Sequence, residues 1–174
     1  LNYQEEIRQK YPDAPENAGF NYRMVAMVSL SNPGLTILPT HRLIFDYEKM
    51  TAADILKKAA AYFSIEELSG RAALEDKMAQ AVGKVGRIGL VHPEGCAFLS
   101  LKDPGVMEKL APNRVQAWRE LDVSILHELL LEEIMRIEPE KIDNLENIKY
   151  LREPDMGYEE VSNKPTSYLF VLNA

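Results

Sequence analysis

Short runs of this chain alternate apolar and polar residues with period two, and longer runs repeat with the period of an α-helix. In residues 22–30, YRMVAMVSL, one face holds Tyr22, Met24, Ala26, Val28 and Leu30. Val25 and Met27 keep the other face partly apolar, which predicts an inner strand covered on both sides. SNPG at 31–34 reads as a turn and LTIL at 35–38 as a short hairpin partner. Residues 51–63 form the clearest helix, with Thr51 as cap, Asp54 in the capping-box position and a stripe of Ala52, Ile55, Leu56, Ala59 and Phe63. SIEEL at 64–68 reads as a brief strand. A second helix is expected over 71–82, with Leu74, Met78 and Val82 on one face and Gly83 as its stop.

RIGLVH at 87–92 and CAFLSL at 96–101 flank PEG and predict a hairpin. PGVMEKL at 104–110 holds a single helical turn. The longest helix is expected over 121–137, with Asp122 as its cap. NIKYL at 147–151 and SYLFVLN at 167–173 read as strands, and the stretch between them reads mostly as loop. Strands joined by short turns, with helices in a pair and then singly, predict an α+β domain. Its sheet is expected to be largely antiparallel, with helices packed on one face. Residues 1–20 are expected to form a helix remnant and loop, and residues 21–174 a single α+β domain. LNYQEEIRQKY reads as the remainder of a helix already under way, so the chain is expected to be a piece of a longer protein.

Composition narrows the classes. The 174 residues carry 27 acidic against 20 basic side chains, a net charge of −7, which repels a phosphate backbone. A general nucleic-acid binder is therefore not expected, and only a local basic pocket is left open. No apolar run approaches the length of a membrane span, so no membrane partner is expected either. The single cysteine, Cys96, excludes an internal disulfide and any CxxC site, and makes the cytoplasm the expected compartment.

Three consecutive residues, Thr40, His41 and Arg42, make the best local cluster of candidate chemistry. A hydroxyl, an imidazole donor and a guanidinium fork can together bind a phosphate or carboxylate. The competing reading is a strand that continues past Pro39, with Arg42 paired to a nearby acid. His127 lies at the edge of the long helix's apolar face, and Glu133 projects inside that face. A carboxylate there needs a partner or a raised pKa, unless the helix frays near Met135 and lets it reach water. The three histidines, His41, His92 and His127, have no metal-ligand spacing, so no metal is expected. Gly83, Lys84 and Gly86 follow a helix and precede a strand, the reverse of a phosphate loop.

NYRMVAMVSLSNPGLTILPTHRLI, then LDVSILHELLLEEI, then YLFVLNA resemble successive blocks of domain-of-unknown-function family 1015, a bacterial and archaeal family often called SerC-associated. PTHRL and LDVS-LH are the more specific parts. Family members are longer and carry a DGHHR-type motif similar to that of the ParB/sulfiredoxin-like superfamily, and a KST-type motif. Neither sequence occurs in these 174 residues. The resemblance implies a parent protein that binds a nucleotide, with magnesium as its companion, and acts on serine or a related small metabolite. This piece of it is expected to be inactive alone. The alternative is a non-catalytic interaction, dimerisation or small-molecule-sensing domain, with which a homodimer is compatible.

Overall fold

A computed structural model describes residues 2–29 and 40–173. The chain divides into two compact units, Leu1–Thr36 and Ile37–Ala174. In the first, helix α1 (Asn2–Lys10) is followed by a loop and a single 3-10 turn, Gly19–Asn21. Arg8 Nε donates to Asn21 Oδ1 at 3.0 Å, and the Asn21 amide donates to the Glu16 carbonyl at 3.1 Å, which folds the loop back on the helix.

The strand expected over 22–30 does not form over its described part. Residues 22–29 have no regular secondary structure, and their apolar side chains face solvent, Met24 at 102% and Met27 at 93% exposure. The alternation is real, but no neighbouring backbone within the described residues takes up its hydrogen bonds. The turn and strand expected over 31–38 lie outside the described residues.

The second unit is a six-stranded sheet with helices on both sides. Its strands are β1 (His41–Ile44), β2 (Phe63–Leu68), β3 (Arg87–His92), β4 (Gly95–Leu101), β5 (Ile148–Leu151) and β6 (Tyr168–Val171). They lie in the order β2-β4-β3-β6-β1-β5, and every neighbouring pair is antiparallel. The expected α+β class and antiparallel sheet are what the chain forms. The expectation of helices on one face needs correction. Helix α2 (Ala52–Ala59), the short α4 (Val106–Leu110) and the long helix cover one face, through Ile55, Met107, Leu126, Leu129 and Leu130. Helix α3 (Arg71–Gln80) and a helix over Asp155–Asn163 cover the other, through Leu74, Met78 and Val161. Both faces of β1 and β6 are covered, since all four residues of each strand are buried, the polar His41 and Arg42 of β1 among them.

Local chemistry explains most element boundaries. Thr51 and Asp54 form the reciprocal capping box at the start of α2. The chain turns between α4 and the long helix through α5 (Gln116–Arg119). The long helix begins as α6 (Asp122–Ile125) and continues without a break as a π-helix, Leu126–Ile134. Leu121, not Asp122, is its N-cap. The Asp122 carboxylate instead accepts the Gly86 N–H at 2.6 Å, which ties the helix start to the turn before β3. Gly86 has φ +70°, and a Cβ there would stand 2.4 Å from the Leu101 Cβ. Short helix α7 (Pro139–Asp143), with proline in its first turn, leads back to the edge strand β5.

The stretch before β6, expected as loop, contains α8 (Asp155–Asn163). Arg71 clamps its start by pairing with Asp155 at 2.6 Å and lying over the Tyr158 ring. Gly157 permits the close approach, since a Cβ there would meet Leu169 Cδ1 at 2.5 Å.

Candidate functional site

Antiparallel register sets the site. Arg42 stands opposite Tyr150 of β5 on one side and Phe170 of β6 on the other, and Phe170 stands opposite Leu90 of β3. Directly opposed residues share a face, so these four side chains form a row across the sheet. The row lies on the face that carries the long helix. His41, one residue earlier, therefore points to the opposite face with Leu43.

The two most specific sequence blocks meet here. Arg42 Nε donates to His127 Nε2 at 3.2 Å, across 85 residues of chain. Arg42 Nη1 donates to the Thr40 carbonyl. The guanidinium lies over the Tyr150 ring, 4.3 Å from its centroid, and the Tyr150 and His127 rings stack with an interplanar angle of 16°. A guanidinium only donates, so the His127 Nε2 facing it is the nitrogen without a proton, and the ring's proton sits on Nδ1.

Arg42 is 7% exposed, and no carboxylate among the described residues lies within ion-pair distance of it. The acid partner expected under the competing sequence reading is thus absent among those residues. Burial lowers the guanidinium's pKa, because a charge removed from water loses hydration; Tyr150 opposes the shift.

The structure does not gather Thr40, His41 and Arg42 into one grip. Thr40 contributes its carbonyl, and His41 belongs to the other face. His41 is 5% exposed, and its Nδ1 accepts the Leu172 N–H at 3.2 Å. Burial holds its pKa below the ordinary imidazole value, Glu153 pulls the other way, and Arg42 adds to the lowering. His92 is buried too, with an Nδ1 that has no hydrogen-bond partner among the described residues, and burial lowers its pKa against the pull of Glu94 and Glu67.

Both imidazoles make stability depend on pH. Unfolded histidine titrates near pH ~6.5, and both folded values lie lower. Between the two values the unfolded chain binds more protons, so stability present above about pH 6.5 falls as the pH drops through that window. The melting temperature is expected to decline as the pH falls below about 6.5. His41→Gln, which still offers an acceptor to Leu172, should flatten part of that slope. An unchanged slope would show that His41 titrates alike in both states.

Glu133 stays away from the cluster. Its carboxylate pairs with Arg136 through two contacts of 3.1 and 3.2 Å, at the end of the π-helical run. The helix turns at Met135, close to where fraying was expected, but the carboxylate finds a guanidinium as well as water. Tyr150 is the member that sequence reasoning missed. Its strand was legible, but nothing local says which strand β5 pairs with, and that pairing alone puts Tyr150 opposite Arg42.

Among the described residues, no group of three or more His, Cys, Asp or Glu side chains could hold a metal ion. No helix among them is long and apolar enough to cross a membrane. No curated protein and no solved structure matches the chain. Residues 1–124 match the family model described as a protein of unknown function, DUF1015, and the chain belongs to that family.

Proposed function

We propose that the Arg42–His127–Tyr150 cluster receives the oxyanion of a small ligand, the phosphate of a nucleotide or the carboxylate of a serine-like metabolite. One observation carries this reading: a buried guanidinium whose described partners are all uncharged. Such a cation is costly to keep from water, and a bound oxyanion would offset that cost. The net charge of −7 makes the local cation matter more, since the chain as a whole repels anions. The family resemblance adds the nucleotide with magnesium, and serine as the small molecule acted upon. In this reading the chain supplies one wall of the site, and the DGHHR-type motif of longer family members supplies the catalytic part.

Thermal shifts of the chain against ATP, ADP, CTP and free serine, with magnesium, test the reading. A ligand that binds only the folded state raises the melting temperature. Arg42→Met keeps the volume and removes the charge. It is expected to abolish the ligand shift while leaving the melting temperature without ligand nearly unchanged, because an unpaired buried charge contributes little to stability. A large fall in that temperature, with the ligand shift intact, would make Arg42 structural.

A second reading, a dimerisation domain, rests on the exposed Tyr22, Met24, Val25, Met27 and Val28. Contiguous apolar side chains of that kind usually meet a partner. Absence of every ligand shift, together with a molar mass of two chains by light scattering, would move this reading ahead.

A further inference from the structure

His92 has a hydrogen-bonding need that the fold does not meet. It is 9% exposed, and its buried Nδ1 has no partner among the described residues, whereas the Nδ1 of His41 accepts the Leu172 N–H. A buried polar atom left in that state is costly. The His92 imidazole lines a cleft of about 450 Å³, together with Leu56 and Lys57 of α2, Ile65 and Glu67 of β2, and Glu94 of the β3–β4 turn, among others. Register explains the gathering. Glu67 stands opposite Ala97, and Ala97 opposite Leu90, two residues before His92. Ile65, Glu67 and His92 therefore share the sheet face that α2 covers. His92 itself stands opposite Gly95, which has no side chain to close the space beside its ring.

The charged groups of the cleft are of both signs. Lys57, Glu67 and Glu94 form no ion pair among the described residues. No three His, Cys, Asp or Glu side chains among those residues could hold a metal ion, so this spread of groups suits an extended organic ion and not a point charge. We infer that the cleft binds a small aliphatic amino acid as its zwitterion. The ammonium lies at the end lined by Glu67 and Glu94 and donates an N–H to the unpartnered imidazole nitrogen. The carboxylate meets Lys57, and the aliphatic body rests on Leu56 and Ile65. This site stands apart from the oxyanion cluster, since Arg42, His127 and Tyr150 do not line it.

The chain has three histidines, so the ring protons of His92 can be followed by NMR, with His92→Phe to assign them. Burial lowers the pKa of His92, so the ring is neutral at about pH 7.5. At that pH and constant ionic strength the chain is titrated with L-leucine, with isoamylamine, which lacks the carboxylate, and with isocaproate, which lacks the amine. Leucine is expected to shift the His92 signals saturably. Isoamylamine is expected to bind about fivefold more weakly, the worth of one exposed ion pair, and isocaproate not to saturate. Lys57→Met should bring leucine down to the level of isoamylamine and leave isoamylamine itself unchanged. By calorimetry, His92→Phe should bind leucine about tenfold more weakly.

No saturable shift of the His92 signals with leucine, or equal leucine affinity in Lys57→Met, would overturn the proposal. Isocaproate binding as tightly as leucine would overturn it too, since the amine would then do nothing. Lys57 is exposed on α2, so its variant keeps the test open even where His92→Phe perturbs the hairpin. Arg42→Met separates this site from the oxyanion site: it should spare the leucine titration, and its loss there would assign the leucine to Arg42 instead.

Discussion

Gly86→Ala is expected to cost about 3–4 kcal/mol of folding stability, against about 1–2 kcal/mol for Gly83→Ala. Both glycines have positive φ, +70° and +77°. An L side chain pays the left-handed penalty at either position. They differ in what a methyl group would meet. At Gly83 nothing lies within 4 Å, whereas at Gly86 the new Cβ would stand 2.4 Å from the Leu101 Cβ. That neighbour is held by its own backbone, since Leu101 N–H donates to the Gly86 carbonyl at 2.8 Å. Neither can move without opening the end of the β3–β4 hairpin. The displaced Gly86 N–H would also leave the Asp122 carboxylate, which burial already pushes above the usual carboxylate range. Urea denaturation of the two variants measures both costs. Equal costs would mean that the turn relaxes and the close contact carries no weight.

Phe170→Ala is the other large effect, about 3–5 kcal/mol. Phe170 is fully buried in β6 at the centre of the sheet, with Leu90 and Arg42 as its cross-strand neighbours. Truncating it leaves a cavity under the long helix, and the surrounding side chains come from several elements that cannot all close in. Leu121→Ala is the control: a leucine 48% exposed at a helix start, expected to change stability by about 0.5 kcal/mol or less. A loss below about 1 kcal/mol for Phe170→Ala would mean that the helix collapses onto the sheet and refills the space.

Local signals carried much of this fold. The capping box at Thr51, the hairpin around Pro93 and Glu94, and the apolar strand at Tyr168–Val171 all depend on residues close in sequence. The failures have a common cause. Residues 22–29 alternate as a strand does, but a strand exists only if another backbone pairs with it. Helix α8 contains Gly157 and ends near Asn163 and Pro165, residues that locally favour a loop. It forms because Val161 packs against the far face of the sheet and Arg71 clamps its first turn. The helix expected over 121–137 runs as a π-helix over Leu126–Ile134, and Glu133 near its end pairs with Arg136.

The same limit governs the candidate site. Arg42 and His127 were each visible as unusual residues, but their meeting depends on sheet register. Tyr150 joins them through strand order, which the 3.6- and 2-residue periods do not encode. His41 shows the converse. Its place next to Arg42 in sequence suggested partnership, and the alternation of a strand sent it to the other side.

Strand β6 is the latest of the six in sequence, yet it lies between β3 and β1. Without it, the sheet is two separate pieces: β2, β4 and β3 on one side, β1 and β5 on the other. During synthesis those pieces have no backbone contact to hold them together until residue 171 has emerged. Arg42 and its neighbours would then be exposed as an unfinished sheet edge, the kind of surface that pairs with the wrong chain. Closure by a late, central strand makes assembly of the sheet nearly all-or-none, and makes a ribosome-bound chain dependent on speed or on a chaperone to reach it.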